Sequence, residues 1–235
     1  MKKILTIFVI TLSIFMLSGC TRARKSALEF KEEYESVNDR VMRDDIKYRT
    51  LNIKKDNPYV KVEAKDIVEK IQNGETFYLY VGDPLCPWCR SGLEKMIDVA
   101  ISYGIKDIYY IDFWDDDHNE TLRDIYEVQM DGKKAKIVKT QEAIAGYENI
   151  LNAVKNFAQD YTITYEGKTY NVGEKRIYGG DHFYFEKGVC TKYVSLRSSK
   201  LEKSTDELTP DVINDQQKKF SEFFTSSTCD DDHNC

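Results

Sequence analysis

Hydrophobic and polar positions follow two different periods between residues 60 and 115. Apolar residues recur at helical spacing over 62–74 and again over 93–100. An uninterrupted apolar and aromatic run occupies 77–81, and a second run over 108–113 is broken only by Asp112, as is typical of buried strands bounded by turn residues. The pattern predicts a helix, a strand, a second helix and a second strand. Two strands joined through a helix pair in parallel, so a parallel sheet is expected.

The turn after the first of these strands contains two cysteines, Cys86 and Cys89, separated by Pro87 and Trp88. Proline suits the first helical position, because the N–H that it lacks would be unpaired there and its φ is already helical. Cys86 is therefore expected at the helix N-terminus, where unpaired N–H groups and the helix dipole favour a thiolate. Cys89 follows one turn later and can resolve a mixed disulfide on Cys86. The spacing predicts dithiol–disulfide exchange with Cys86 as nucleophile.

The strand, the C-P-W-C sequence and the following helix together resemble the thioredoxin superfamily. The resemblance covers about residues 50–115 and 176–225, where FYFEKG at 183–188 and VCTKYVSL at 189–196 look like the family's closing hairpin. It implies an α/β, three-layer thioredoxin-like fold with a mixed central sheet. Thioredoxin-like lipoproteins are the nearest resemblance, including accessory proteins of bacteriocin export with a similar C-P-x-C stretch. Half of a structural zinc site is the alternative for such a cysteine pair.

Two positions depart from the family's pattern. The family usually has a cis-proline that faces the two cysteines before the penultimate strand, and the matching residue here is Gly180. Glycine can adopt unusual backbone geometry but does not enforce it, so a proline at 180 is expected to raise exchange activity. Many thioredoxins also carry a buried carboxylate six residues before the first cysteine, where this chain has Tyr80. Proton transfer from Cys89 would then need water or another group.

The N-terminus has the features of a targeting segment. Lys2 and Lys3 precede an uncharged apolar run over 4–17, which is too short to span a bilayer comfortably. Residues 1–19 are therefore predicted to be a signal peptide. The LSGC sequence that ends at Cys20 resembles the bacterial lipobox, which implies a lipid anchor on Cys20 and a place on the extracytoplasmic face of a bacterial cell membrane. An ordinary signal peptide followed by an incidental cysteine is the alternative.

The remaining cysteines are interpreted for a compartment that permits disulfides. Cys229 and Cys235 enclose five residues in an acidic tail over 226–235, and a local structural disulfide between them is predicted. Metal binding with His233 is the alternative. Cys190 opens the last predicted strand and is interpreted as a small core residue.

The domain organisation follows from these assignments. Residues 20–49 are charge-rich and only loosely periodic, and they are predicted to be a partly helical spacer between the lipid and the domain. Residues 50–225 are predicted to be the thioredoxin-like domain. An insertion over about 115–175 is expected to contain helices over 120–128 and 141–157. It is also expected to contain a hairpin over 161–172, either as a cover for the active site or as structural padding.

Composition and charge narrow the range of functions. The chain of 235 residues is 41% hydrophobic and 31% charged, with a formal charge of −6 and no basic stripe, so no nucleic-acid partner is expected. His182 is interpreted as a strand residue, with a metal shared with Cys86 and Cys89 as the alternative. No metal and no cofactor is predicted. The expected function is thiol–disulfide exchange with protein substrates; a binding or chaperone-like module and a metal-holding protein are the alternatives.

Overall fold

A computed structural model describes residues 25–43, 45–114, 119, 121–132 and 134–225, which form an α/β structure. The described helices are α1 (25–35), α2 (Ala64–Gln72), α3 (Pro87–Ser102), α4 (Tyr147–Ala153) and α5 (Pro210–Phe224). The described strands are β1 (Val41–Arg43), β2 (Ile46–Lys47), β3 (Tyr59–Lys61), β4 (Phe77–Gly82), β5 (Ile108–Asp112), β6 (Ile125–Asp131), β7 (Lys134–Gln141), β8 (Gln159–Tyr165), β9 (Lys168–Arg176), β10 (Asp181–Glu186) and β11 (Val189–Ser195).

A mixed sheet forms the centre of the fold. Within the described residues it has five strands in the order β11-β10-β4-β5-β3. Strands β3 and β4 both run parallel to β5, while β10 is antiparallel to its neighbours β4 and β11. The predicted strand–helix–strand unit is confirmed as β4, α3 and β5. The predicted hairpin near the end of the chain is confirmed as β10 and β11.

Alternate side chains of β4 lie on opposite faces of this sheet, because the side-chain period of a strand is two residues. Tyr80 lies on the face that carries a core cluster shared with α3 and α5, represented by Leu93 and Phe220. Leu79 lies on the other face, in a cluster that includes Ile67 of α2 and residues of α4. The sheet therefore lies between two helical layers.

The segment over 20–49, predicted to be a spacer, is in its described part a component of the folded domain. Phe30 and Tyr34 of α1 are buried in the cluster on the α3 side of the sheet. The Phe30 ring stacks on Tyr59 of β3, with ring centroids 4.3 Å apart. The spacing of these apolar residues is the i, i+4 spacing of one helix face, although charged residues surround them. The described part of the domain therefore begins at residue 25 and not at residue 50.

The chain between β5 and β10 differs in part from the predicted insertion. The helix predicted over 120–128 is wrong, because residues from Ile125 onward form β6 and pair with β7. The helix predicted over 141–157 is reduced to α4, since Gln141 still belongs to β7. The predicted hairpin is confirmed as β8 and β9. Helix α4 belongs to the core cluster on the α2 side, so this part of the insertion completes a layer of the domain.

Among the helices of the described residues, none combines the length and the apolar character that a bilayer crossing requires. The predicted signal peptide and Cys20 lie outside the described residues, as do Cys229 and Cys235 of the predicted tail disulfide.

Candidate active site

Helix α3 begins at the cysteine motif, as predicted. Cys86 is the N-cap residue with extended backbone angles, and Pro87 takes the first helical position. The Cys86 Sγ accepts a hydrogen bond from the backbone N–H of Cys89, at an N···S distance of 3.1 Å. The Cys86 sulfur therefore satisfies one of the N–H groups that the first turn of a helix leaves unpaired.

The two motif cysteines differ in their access to solvent. Cys86 is half-buried, whereas Cys89 is fully buried in the cluster on the α3 side of the sheet. The pKa of Cys89 is raised well above its ordinary value, mainly by burial and then by its hydrogen bond to Cys86 and the charges of Cys86 and Asp83. Cys89 is therefore held as a thiol, and Cys86 is the sulfur that an external disulfide can reach.

A glycine backbone lies directly against both sulfurs. A Cβ atom built on Gly179 would lie 2.8 Å from Cys86 Sγ and 3.1 Å from Cys89 Sγ. The prediction that Gly180 faces the cysteines is wrong by one residue, because a Cβ on Gly180 would meet Leu196 instead. Gly180 has a φ of 98°, and its N–H donates to the Val81 carbonyl at 3.0 Å. The described peptide bonds, including those on either side of these glycines, are all trans.

Tyr80, six residues before Cys86, is completely buried on β4. Its hydroxyl lies 2.8 Å from the hydroxyl of Tyr34 in α1. Burial raises the pKa of Tyr80 well above its ordinary value, and the charge of Cys89 adds to this effect. Tyr80 is therefore a neutral phenol that is hydrogen-bonded to another phenol, and it is a poor acceptor for a cysteine proton.

His182 is a buried strand residue, as predicted. Its Nε2 lies 2.8 Å from the Tyr59 hydroxyl, and its Nδ1 lies 3.3 Å from the Gly180 carbonyl oxygen. Burial lowers the pKa of His182 to about 3, so the ring is neutral. Both ring nitrogens are used within the core. In the described part of the chain, no three His, Cys, Asp or Glu side chains are grouped as metal ligands would be.

Asp83 is a site residue that the sequence analysis did not single out. It follows β4 directly, is only 7% exposed, and its carbonyl oxygen accepts a hydrogen bond from the Cys86 N–H at 3.3 Å. Its carboxylate Oδ1 is buried and has no hydrogen-bond partner in the described part of the chain. Burial raises the pKa of Asp83 to about 6, and the charge of Asp112 adds to this effect. A loop that reads as an ordinary turn therefore places a carboxylate inside the site.

Arg90, the residue after Cys89, is the second site residue that was missed. It is 1% exposed, and its guanidinium group connects the motif helix to the N-terminal segment. It donates hydrogen bonds to the carbonyl oxygens of Arg49, Tyr34 and Pro84 and to Oδ1 of Asn38. A buried cation that is held in this way fixes the loop before the motif against α1 and the chain that follows it.

Trp88, between the two cysteines, is half-buried at the surface of the site. The guanidinium group of Arg197, which follows β11, lies 4.3 Å from the centroid of the indole ring. A cation over an indole face is an attractive arrangement that limits the positions of both side chains. The motif therefore contacts the chain after β11 as well as the loop at Gly179.

Cys190 lies away from this group of residues. It pairs with Phe185 across the β10–β11 hairpin and packs against the cluster on the α2 side of the sheet. Burial raises the pKa of Cys190 to about 12, so it is a protonated thiol. It is half-buried and packs against the edge of that cluster, so its interpretation as a small core residue holds only in part. Among the described cysteines, Cys86, Cys89 and Cys190 are all free.

Comparisons of the chain with protein-family models, with curated proteins and with solved structures gave no match. The chemistry of the site is therefore argued from its own geometry. That geometry consists of an accessible cysteine at a helix N-terminus, a buried cysteine one turn later, and a glycine backbone in contact with both sulfurs.

Proposed function

We propose that this protein is a thiol–disulfide oxidoreductase that acts on secreted or surface proteins, with Cys86 as nucleophile and Cys89 as resolving cysteine. One observation carries the proposal: the Cys89 N–H donates to the sulfur of Cys86, which is the N-cap of α3, while the Cys89 sulfur is buried one turn below. This arrangement holds the half-buried Cys86 sulfur at the helix N-terminus, where an external disulfide can reach it, with the second sulfur in place behind it.

The architecture supports a thioredoxin-like classification as part of this proposal. A mixed sheet lies between two helical layers, with parallel strands β3, β5 and β4 followed by the antiparallel β10 and β11. The cysteine motif lies at the carboxyl end of β4, at the start of the helix that leads to β5. In open α/β sheets, binding sites lie at the carboxyl ends of the strands.

The proposed reaction takes place in two exchange steps. The Cys86 thiolate attacks one sulfur of a protein disulfide, the substrate S–S bond breaks, and the other substrate sulfur leaves as a thiolate. Cys89 then loses its proton and attacks Cys86 Sγ, which forms the Cys86–Cys89 disulfide and releases the second substrate thiol. The substrate gains two electrons, which the protein dithiol loses. The same steps in reverse oxidise a dithiol substrate, and the relative reduction potentials decide the direction.

The proposed location is the extracytoplasmic face of a bacterial membrane, with an anchor on Cys20. The charged start, the short apolar run and the LSGC sequence support this location. A protein held there meets chains that have crossed the membrane, in a compartment where disulfides persist. The expected substrates are therefore protein thiols and disulfides.

A binding or chaperone-like module is the second candidate. The observation that favours it is the pair Gly179-Gly180, where the thioredoxin pattern has a cis-proline. The described peptide bonds in this loop are trans, and Gly180 has a φ that proline cannot adopt. A site built in this way can retain an extended partner without turnover.

A redox titration tests the proposed function. The full chain is equilibrated with thiol–disulfide buffers, and the fraction of the Cys86–Cys89 disulfide is measured by alkylation and mass spectrometry. We expect one two-electron transition, which Cys86→Ser abolishes and the matched control Cys190→Ser leaves in place. In the reduced protein, Cys86 should alkylate faster than Cys89. A Cys86–Cys89 pair that shows no two-electron transition would support the binding module instead.

A further inference from the structure

The resolving step needs a group that takes the Cys89 proton. Cys89 is fully buried, and its pKa is raised well above the ordinary value, mainly by burial, so the sulfur that must attack Cys86 starts as a thiol. A thiol is a poor nucleophile, because the thiolate is the reactive form. The thioredoxin resemblance expects a carboxylate at position 80. This chain has Tyr80 there, and its phenol is hydrogen-bonded to the hydroxyl of Tyr34.

Asp83 is placed against both cysteines by its backbone. Its carbonyl oxygen accepts the Cys86 N–H at 3.3 Å. Its own N–H favours the thiolate of Cys89 and lowers the pKa of that thiol, in opposition to the larger effects of burial, of Cys86 and of the Asp83 charge. The loop that carries the carboxylate is therefore in contact with the two reacting residues.

The Asp83 side chain has an unused hydrogen-bonding position inside the protein. Its Oδ1 is buried and has no hydrogen-bond partner in the described residues, and the residue as a whole is only 7% exposed. Buried polar atoms in folded proteins are nearly always paired, so an unpaired carboxylate oxygen needs an explanation. An acceptor that remains open for a transferred proton provides one.

We propose that the Asp83 carboxylate accepts the Cys89 proton when Cys89 attacks the mixed disulfide on Cys86. This inference rests on the proposed function. In the step, the Cys89 S–H bond breaks and its proton passes to Asp83, directly or along one water. The Cys89 sulfur forms a bond to Cys86 Sγ, the bond from Cys86 to the substrate sulfur breaks, and the substrate sulfur leaves as a thiolate. Asp83 afterwards loses the proton to that thiolate or to solvent.

The groups around Asp83 place the pKa of its carboxyl group in a range that suits a general base. Burial and the charge of Asp112 raise the pKa of Asp83 to about 6. The N–H of Leu85, the charge of Arg123 and the indole of Trp114 act in the opposite direction. A general base works best when its pKa lies near the working pH. At neutral pH most of the protein then carries Asp83 as a carboxylate that is ready to accept a proton.

The charge of Asp83 alone would have the opposite effect on the rate. A negative charge near Cys89 raises the pKa of that thiol, so its removal without any other change should favour the Cys89 thiolate. A purely electrostatic role therefore predicts that Asp83→Asn resolves the mixed disulfide faster. A proton-acceptor role predicts slower resolution. The sign of the effect separates the two roles.

A two-step exchange experiment measures the resolving step by itself. The reduced full chain is mixed with a small aromatic disulfide that releases one coloured thiolate when Cys86 attacks and a second when Cys89 resolves. The rates of the two releases are recorded between pH 5 and pH 8, a range of about one pH value or more on each side of the Asp83 pKa of about 6. The variants are Asp83→Asn, Asp83→Glu and the control Asp98→Asn, which removes an exposed carboxylate of α3 that pairs with Lys54.

We expect the second release to be at least about tenfold slower in Asp83→Asn at neutral pH, with the first release changed by less than about threefold. The wild-type second rate should rise through pH of about 6, and this rise should be missing in Asp83→Asn. Asp83→Glu should retain part of the rate, and Asp98→Asn all of it. A second release that is unchanged or faster in Asp83→Asn overturns the inference while leaving the proposed function intact. A wild-type chain that never gives the second release overturns both.

Discussion

The hydroxyl oxygens of Tyr34 and Tyr80 lie 2.8 Å apart, one on α1 and the other on β4 beneath the cysteine motif. Both residues are completely buried, and their rings belong to an aromatic cluster with Phe30, Tyr59 and Tyr110. Aromatic pairs in such clusters contribute beyond the area that they bury. Helix α1 therefore completes the core under the cysteine motif, and the stability of the candidate site depends on it.

Replacement of Phe30 tests this dependence. Phe30 is 1% exposed and stacks on Tyr59, so Phe30→Ala should lower the free energy of unfolding by about 3–5 kcal/mol. Denaturant unfolding of the full chain measures the change. The exposed neighbour Glu29 provides the control, and Glu29→Ala should change stability by about 0.5 kcal/mol or less. A loss below about 1 kcal/mol in Phe30→Ala would mean that α1 is not part of the cooperative core.

Arg90 gives a second test of the link between the N-terminal segment and the motif. Arg90→Met leaves four hydrogen-bond acceptors without their donor in a buried region, and it should cost about 3 kcal/mol or more. Arg90→Lys retains the charge but not the fork of donors, so its loss should be smaller but clear. Thermal and denaturant unfolding measure both. Lys218→Met, at an exposed ion pair on α5, is the control and should be nearly neutral.

The central part of the fold could be predicted from sequence because its patterns are local. The apolar runs of β4 and β5 and the helical spacing of α3 leave few alternatives, and the proline after Cys86 marks where that helix starts. The position of α1 could not be predicted in this way. Its buried residues are separated by charged ones, and its partners, such as Tyr80, are distant in sequence.

Only the local geometry of the cysteine motif could be predicted from the sequence, and the buried residues around it could not. Asp83 and Arg90 resemble ordinary charged residues of a turn and a helix, and their burial depends on segments that pack over them, such as the one containing Asn38. The error at Gly179 and Gly180 has a similar origin. A shift of one residue at the start of a strand exchanges which residue faces the site, and no local pattern distinguishes two consecutive glycines.

Proline at position 180 is now expected to be harmful, which reverses the expectation from sequence. Gly180 has a φ of 98°, whereas proline is restricted to about −65°. The Gly180 N–H, which proline lacks, donates a hydrogen bond to the Val81 carbonyl oxygen. Gly180→Pro should therefore cost about 3 kcal/mol or more in stability and reduce exchange activity. Gly180→Asn is the comparison variant: it is also strained at this φ, but asparagine adopts positive φ more readily than most residues and retains the N–H, so it should lose less stability than the proline variant. Unchanged melting of the proline variant would contradict the loop geometry.

Gly179 is predicted to be sensitive for a different reason. A Cβ at this position would lie 2.8 Å from the sulfur of Cys86, so the sulfurs or the loop must move to accommodate an alanine. Gly179→Ala should reduce the rate at which Cys86 attacks a protein disulfide by about tenfold or more, because small misplacements of reacting groups are costly. Gly173→Ala, in the exposed strand β9, is the control: its φ of 91° makes alanine costly for stability, but no atom of the site lies near it, so it should leave the rate unchanged. An equal loss in both variants would indicate general destabilisation.

The pH dependence of stability should identify Asp83 independently of activity. The pKa of Asp83 rises from its ordinary value of 3.8 to about 6 on folding, mainly through burial, so the folded protein binds this proton more tightly than the unfolded chain. The carboxyl group therefore causes no penalty below pH of about 4, and an increasing penalty as the pH rises to about 6. Above that pH the penalty is on the order of 2–3 kcal/mol. Asp83→Asn cannot ionise and should escape it.

The measurement is the difference in unfolding free energy between Asp83→Asn and wild type, taken across the pH range. Asp181 has a pKa of about 6 and the same sign of effect as Asp83, whereas buried His182, with a pKa of about 3, destabilises the fold as the pH falls below its ordinary value of 6.5. Both groups are present in wild type and variant, so their contributions cancel in the difference.

The difference should be near zero at pH of about 4 and should favour the variant at neutral pH. Asp98→Asn, the control on α3, should show no such trend. If Asp83→Asn is more stable at neutral pH and yet slower in the resolving step, the buried carboxylate is retained for chemistry at a cost in stability. A stability difference that does not change with pH would mean that Asp83 does not titrate in this range.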